Sequence, residues 1–310
     1  MTNTVIMIDG GAGRVISALP AIERYIELNP EKNVKVFVYG WDFVVFGNKK
    51  LQNITYNIEQ KHVFKDIFMN ADEVIHPEPY VLPEYFKQEY HLSQAFDYLI
   101  NGSTGKTPLI PKLCCTKKEK IAAKSIIDDI KKHNENKKII VLQPFGSNAT
   151  FNNSTENAEI IDTTSRSMSL EMYSNMAKAL SEKYSIILFA PEQFHFKEDV
   201  FTHKFPQASL RDYIALIDQA DYFIGVDSVG QHISRGLNKP GMVILGSTFA
   251  KNITYDDWFI VVDKYKNDKT YLPMRINHID YELAESSNSF CMDYCREDVL
   301  EMCNLVGEFL

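Results

Sequence analysis

Seven short apolar runs recur along the 310-residue chain, each stopping at or beside a glycine, a proline or an aspartate. They are TVIMID (4–9), VKVFVYG (34–40), DEVIH (72–76), KIIVLQP (138–144), SIILFA (185–190), YFIGVD (222–227) and GMVILG (241–246). Their length and β-branched content predict strands. Between them, RVISALPAIERYIEL, KEKIAAKSIIDDIKKH, SLEMYSNMAKALSEK and SLRDYIALIDQA place apolar residues at helical spacing. Strands with almost no charge that alternate with helices are buried on both faces, which requires parallel sheets covered by helices. The expected class is α/β, doubly wound. At 310 residues, 45% of them hydrophobic, the chain is long enough to build two such cores of about 150 residues each.

The stretch GSNATFNNSTENAEIIDTTSRS (146–167) is rich in Ser, Thr and Asn and has no strong periodicity, so the division is placed there. The sequence reads as a first Rossmann-like unit over 1–150 and a second over 166–295. The closing REDVLEMCNLVGEFL (296–310) is an amphipathic helix that must bury its apolar side, the first unit being one candidate surface.

No run approaches the roughly 18–20 apolar residues of a membrane span, and the opening MTNTVIMIDGG lacks a basic region and a cleavage site. A cytoplasmic protein without a membrane span is expected. The five cysteines, Cys114, Cys115, Cys291, Cys295 and Cys303, do not form a secreted disulfide framework, and reduced thiols are expected. The spacing of the last three is not that of a zinc knuckle, and no metal site is expected.

Net charge is −8 and unevenly shared. Residues 1–150 carry 19 Lys and Arg against 17 Asp and Glu, residues 151–310 carry 14 against 24, and 106–138 alone holds ten lysines and four acids. Such a run is most simply a solvated helix face. It is also the one segment suited to docking a polyanion.

The chemistry-bearing residues cluster where strands hand over to helices. In open parallel sheets, ligands bind beyond the carboxyl ends of the strands, beside the unpaired N–H groups of helix N-termini. Three junctions are polar or glycine-rich. IDGGAGRVISALP (8–20) carries Gly10, Gly11 and Gly13, which allow close backbone approach but do not make a dinucleotide fingerprint. QPFGSNA (143–149) presents Gly146 and Ser147. DYFIGVDSVGQHISRGLNKP (221–240) ends a strand on Asp227 and opens a helix with Ser228, Gly230 and His232. There the helix N–H groups, Ser228 and His232 suit a diphosphate, and Asp227 suits sugar hydroxyls. An equally simple reading is that Asp227 and Ser228 cap the helix and His232 packs.

The block ADYFIGVDSVGQHISRGLNKPGMVILGST resembles the heptosyltransferase family of GT-B glycosyltransferases, whose signature runs Asp-Ser/Thr-Gly-x-x-His-x-Ala and then Gly-x-Pro, a strand and Gly-x-Thr. GRVISALPAIERY is similar to that family's first helix, VLQPFGSNA to the opening of its second domain, SRSMSLEMYSNMAKAL to its basic residue and helix, and CMDYCREDVLEMCNLV to its closing segment. The resemblance is nearly full length but weak between motifs, above all over 41–137. It implies two facing Rossmann-like domains with a C-terminal crossover helix packing back. The second domain would hold a nucleotide-diphosphate sugar, of UDP or ADP type, and the first an acceptor.

Carried over residue by residue, Asp227 would contact the donor sugar, and Ser228, Gly230 and His232 would surround the diphosphate beside Gly146 and Ser147. Arg166 would neutralise the leaving group, a catalytic role that needs no metal or other cofactor. Gly11, Gly13 and Arg14 would lie on the acceptor side. Two positions depart from the family: Val229 stands where it has glycine, and Arg14 where it has its catalytic aspartate. Arginine cannot be a base at neutral pH. Asp9 is the nearest replacement, either as that base or as a carboxylate capping the glycine loop. His62, His91 and Asp97 lie in the weakly matched region and stay open as alternatives.

The resemblance implies an inverting transfer, with a lipopolysaccharide or other glycan sugar as acceptor. The MIDGGAGRVISALPAIERY start and the Asn/Lys/Tyr-rich style also resemble T-even-like bacteriophage enzymes that glycosylate hydroxymethylcytosine in DNA, arabinosyltransferases included. A DNA acceptor would meet the 106–138 lysines, with a base flipped into the cleft. These resemblances place the chain in a bacterial or phage-infected cell. Other expectations are a nucleotide-sugar epimerase or hydrolase on the same fold, and a non-catalytic sugar-nucleotide-binding protein without a base. Oligomeric state is left open.

Overall fold

The computed structural model describes residues 2–153, 158–190, 202–204, 209–270 and 289–310. The α/β expectation holds. The first sheet is built from β1 (Asn3–Ile8), β2 (Asn33–Val38), β3 (Thr55–Asn57) and β4 (Glu73–Ile75), all parallel, in the order β3-β2-β1-β4. The later strands are β5 (Ile139–Gln143), β6 (Thr150–Asn153), β7 (Ala158–Ile161), β8 (Ser185–Leu188), β9 (Thr202–Lys204), β10 (Tyr222–Val226), β11 (Gly241–Ile244) and β12 (Phe259–Val262). Six of them form a second parallel sheet in the order β12-β11-β10-β5-β8-β9, while β6 and β7 pair as a separate antiparallel hairpin. Read from β5, that order is the doubly wound dinucleotide-type order, with its reversal between β5 and β10.

Burial explains the apolar runs. Every residue of β5, β8, β10 and β11 is buried. Each large apolar side chain so buried, such as Phe223 or Ile224, contributes roughly 1.5–3 kcal/mol relative to exposure.

The helices are α1 (Ala12–Leu28), α2 (Val63–Asp66), α3 (Pro83–Phe86), α4 (Leu92–Asn101), α5 (Lys117–His133), α6 (Leu170–Ser181), α7 (Leu210–Gln219), α8 (Val229–Gly236), α9 (Ala250–Ile253) and α10 (Arg296–Phe309). Capping boxes start α4 (His91 with Gln94), α5 (Thr116 with Glu119) and α7 (Ser209 with Asp212), satisfying the orphan N–H groups of their first turns.

Three expectations need correction. The unit 1–150 overreaches, because β5 hydrogen-bonds between β10 and β8 at the centre of the second sheet. The polar stretch taken as the boundary holds the β6–β7 hairpin instead. Among the described residues the closing helix packs on the second unit, where Val299, Met302 and Val306 of α10 meet Met172, Met176 and Leu180 of α6. The lysine-rich 106–138 segment contributes α5. Its helix α5 buries Ala123, Ile127 and Ile130 and packs on α7. Glu119 binds Arg211 at 2.6 Å, and Lys120, Lys131 and Lys138 pair with Asp218 and Asp221.

A single apolar cluster joins the two sheets. Ile6 and Ile8 of β1, Ile139 and Val141 of β5 and Phe223 of β10 belong to it, with residues of α1, α4, α5, α7 and α8 between them. Asn252 adds a polar tie, its Nδ2 donating to the carbonyls of Tyr85 and Tyr90 at 2.9 and 3.0 Å.

Candidate functional site

The reversal between β5 and β10 puts Gln143 and Asp227 at adjacent strand ends, and the glycine turn after β1 lies opposite. Between them opens a cleft of about 440 Å³, lined from one side by Gly11, Ala12, Gly13, Arg14, Trp41, Tyr80 and Leu92. Gln143, Phe145, Gly146, Ser147, Arg166, Phe189, Asp227, Ser228, Val229 and His232 line the other. A cavity of this size at a topological switch point is the default place for a ligand in such a fold.

Arg166 is fixed by the loop that carries it. Asp162 accepts from Thr164 N at 2.8 Å and from Ser167 Oγ at 2.5 Å, and Arg166 Nε donates to Thr164 Oγ1 at 2.9 Å. Burial works against the Asp162 charge, but the bonds from Ser167 and Thr164 and the charge of Arg166 hold its carboxyl below the usual range. Ser167 Oγ also accepts from Gly146 N at 2.9 Å, so the Arg166 loop and the turn after β5 are locked together. Gly246 admits this arrangement: a Cβ there would lie 1.9 Å from the Ser165 carbonyl oxygen. Arg166 Nη1 then stands 3.9 Å from Asp227 Oδ2, with both side chains buried. The other Asp227 oxygen accepts from Gln231 Nε2 at 2.7 Å.

Gln143 organises the start of α8. Its Oε1 accepts from Gly230 N at 3.0 Å and from Tyr213 OH at 3.2 Å, while its Nε2 donates to Ser228 Oγ at 3.1 Å. This corrects the expectation for Gly230. Its N–H is already taken, it does not line the cleft, and its missing side chain is what admits Gln143, since a Cβ there would meet Oε1 at 2.2 Å. Ser228 occupies the N-cap position without a side-chain cap bond, which leaves its hydroxyl to Gln143 and the cleft.

Arg14 and Asp9 form an ion pair, with Nη2 2.8 Å from Oδ1. Arg14 also donates to both Glu78 oxygens at 3.0 and 3.1 Å and to the Pro77 carbonyl at 3.3 Å, and its guanidinium lies 4.9 Å from the Tyr80 ring centroid. Burial opposes its charge, but Glu78, Tyr80 and Asp9 outweigh that and leave its pKa above the ordinary value. Arg14 lines the cleft. Asp9 does not: it is about half exposed and paired with Arg14, with its second oxygen 3.6 Å from His76 Nε2. Its pairing with Arg14 and its place outside the cleft lining weigh against the role of base.

His232 is buried where α1 and α8 meet. Its Nδ1 is 3.3 Å from Ser17 Oγ and 3.5 Å from Tyr255 OH. Burial pushes its pKa down to about 4 against the opposing charge of Asp227. His91, beside the same tyrosine ring, is lowered to about 3, again by burial and then by His232. Both rings are neutral at pH 7. Of the other weakly matched candidates, Asp97 binds Arg24 at 2.5 Å and His62 is the residue before α2, and neither lines the cleft.

Thus the structure brings together Gly11, Gly13, Arg14, Gly146, Ser147, Arg166, Asp227, Ser228 and His232, and leaves out Asp9 and Gly230. Sequence reasoning missed Gln143, Trp41, Tyr80 and Phe189. Gln143 had one signal, an amide ending an otherwise apolar buried strand.

Among the described residues, no group of three or more His, Cys, Asp and Glu side chains is placed to hold a metal, and no helix is long and apolar enough to cross a membrane. All five cysteines are free.

No protein-family model matches the chain, and no curated protein matches it in sequence. Solved structures do match over its full length. A family 9 glycosyl transferase from Veillonella parvula superposes with a TM-score of 0.71 at 12% identity, covering 100% of this chain and 98% of that one. The ADP-heptose lipopolysaccharide heptosyltransferase II of E. coli gives 0.64 at 13% identity, covering 100% of both chains. The iron-containing dodecameric glycosyltransferase TibC of enterotoxigenic E. coli gives 0.61 at 11%, covering 99% of this chain and 80% of that one. At these identities the likeness establishes the fold: two facing parallel-sheet halves of the GT-B type.

Proposed function

We propose that the cleft binds a nucleoside-diphosphate sugar and transfers the sugar to a hydroxyl of a glycan acceptor, with inversion at the anomeric carbon. The observation that carries this reading is the Arg166–Asp227 pair at the strand reversal, facing the glycine turn at Gly11–Gly13 across the cleft. Buried cation and carboxylate match the two ends of such a donor. Arg166 neutralises the diphosphate as the C–O bond to it breaks, the moment at which leaving-group charge develops. Asp227 accepts from hydroxyls of the sugar, and Gly146, Ser147 and Ser228 border the phosphates. Phe145 and Phe189 supply apolar wall for the rest of the nucleotide, while Trp41 and Tyr80 face the acceptor's side.

The full-length likeness to structures described as a family 9 glycosyl transferase and an ADP-heptose heptosyltransferase supports the same reading. It makes an ADP-sugar the first donor to try. Lys120, Lys131 and Lys138, three of the ten lysines in 106–138, pair with Asp218 and Asp221, which lowers the charge this segment offers to DNA and favours a glycan.

The test incubates the protein with ADP-heptose, UDP-glucose and UDP-arabinose, each beside lipopolysaccharide core oligosaccharide and hydroxymethylcytosine-containing DNA, and reads adducts by mass spectrometry. A sugar adduct on the oligosaccharide is expected. An adduct on DNA instead moves the acceptor. Free sugar without an adduct indicates a hydrolase or epimerase, and nucleotide binding without turnover indicates a sensor; either overturns the transferase reading.

A further inference from the structure

Inverting transfer needs a group that takes the proton of the attacking hydroxyl. With arginine at position 14 and Asp9 paired with it outside the cleft lining, the candidates are the other groups of the cleft wall. Two lining side chains carry a basic atom for the task, Asp227 and His232. Asp227 is engaged on both oxygens, by Gln231 at 2.7 Å and by Arg166 at 3.9 Å.

His232 is positioned differently. Ser17 Oγ donates to the Gly13 carbonyl at 2.9 Å, so it meets His232 Nδ1 at 3.3 Å with a lone pair. With the Ser17 proton on the Gly13 carbonyl, this contact is satisfied when Nδ1 carries the imidazole proton. Tyr255 OH, at 3.5 Å from the same nitrogen, stands at the limit of bonding reach. Nε2 keeps its lone pair and has no protein partner among the described residues. The ring edge lies against Gly13, where a Cβ would be 3.0 Å from Cδ2 and 3.6 Å from Nε2, and Gly13 and His232 both line the cleft.

We propose that His232 is the proton acceptor of the transfer, with Ser17 as the positioning residue that fixes its tautomer. This rests on the transferase reading above. The acceptor O–H gives its proton to Nε2 while its oxygen bonds to the anomeric carbon. The anomeric C–O bond breaks and its electron pair leaves with the nucleoside diphosphate. The imidazolium so formed lies near the Asp227 carboxylate, which favours its charge, and it returns the proton to water after the products leave. Burial lowers the basicity of the ring, and the Asp227 carboxylate acts in the opposite direction.

Two measurements on the full chain test the assignment. Imidazole 15N NMR at pH 7 is expected to show His232 as the Nδ1–H tautomer, unchanged in Tyr255→Phe and altered in Ser17→Ala. His232→Asn is expected to bind ADP and UDP within about threefold of wild type while sugar transfer falls by about 10²–10⁴-fold. An Nε2–H tautomer overturns the proposal, as does a His232→Asn protein that turns over normally. A folded variant that has lost nucleotide binding also overturns it, making His232 a diphosphate ligand. Failure of wild type to use any ADP- or UDP-sugar overturns the transferase reading instead, and the tautomer still decides whether Nε2 is free to accept.

Discussion

Gly13 leaves the space that the His232 ring occupies: a methyl group on Gly13 would stand 3.0 Å from Cδ2. The first turn of α1 thereby meets the first turn of α8 backbone against ring, and the two halves of the cleft are held at that distance. Gly13→Ala gains helix propensity of about 1 kcal/mol but pushes on a ring tethered to Ser17. The expected outcome is a melting temperature close to wild type with the His232 imidazole resonances displaced and sugar transfer reduced more than nucleotide affinity. Thermal melts, NMR and calorimetry with ADP check it.

Gly230→Ala is expected to act on stability. Its Cβ would lie 2.2 Å from Gln143 Oε1 and 2.7 Å from the Phe223 ring, and Oε1 cannot retreat without releasing Gly230 N and Tyr213 OH. Overpacking of this kind costs about 1–3 kcal/mol. Urea unfolding should show a lower midpoint at unchanged slope, and a wild-type midpoint would show that Gln143 moves freely.

Arg166→Ala is expected to weaken ADP and UDP binding about ten- to hundredfold, the loss of charge-assisted bonds worth roughly 1.5–3 kcal/mol. Arg166→Lys should recover only part, since a point charge replaces a planar fork. Titration calorimetry at low and high salt measures this. Equal affinity in all three proteins would remove the diphosphate from this site.

The elements that the sequence shows plainly are those whose signal is local. β10 reads as a strand because all five of its residues are buried, and α5 as a helix because its apolar positions fall on one stripe. What stays hidden is pairing over distance. Gly230 reads as offering its N–H to a ligand, because nothing nearby in sequence reveals that Gln143, 87 residues away, accepts it. β5 reads as part of the first unit because the Ser/Asn-rich stretch after it imitates a linker, and parallel-strand neighbours are never adjacent in the chain. Arg14 and Asp9 are legible as oddities, but that they pair with each other is a matter of side-chain direction. Trp41, Tyr80 and Phe189 carry no mark that separates a cleft aromatic from a core aromatic.

Acid should destabilise the protein through its buried histidines. His232 and His91 have folded pKa values near 4 and 3, below the 6.5 of an unfolded histidine, so between those values the unfolded chain binds more protons. Their contribution is full above pH 6.5 and is lost as pH falls through the folded values. Asp227, Tyr255 and each other are the titratable groups facing these rings. Glu119, held down to about 2 by Arg211, has its own contribution, lost below about pH 4.5. Denaturation midpoints should therefore fall between pH 6.5 and 4, and His232→Asn should flatten that decline. An unchanged slope would show that His232 charges without cost.

The apolar cluster shared by β1, β5 and β10 decides how the molecule comes apart. Because Ile6, Val141 and Phe223 bury one another's neighbourhood, neither sheet can shed its partner without wetting its own interior. Damage placed anywhere in that cluster is therefore felt by both halves at once, and the protein should melt in a single cooperative step.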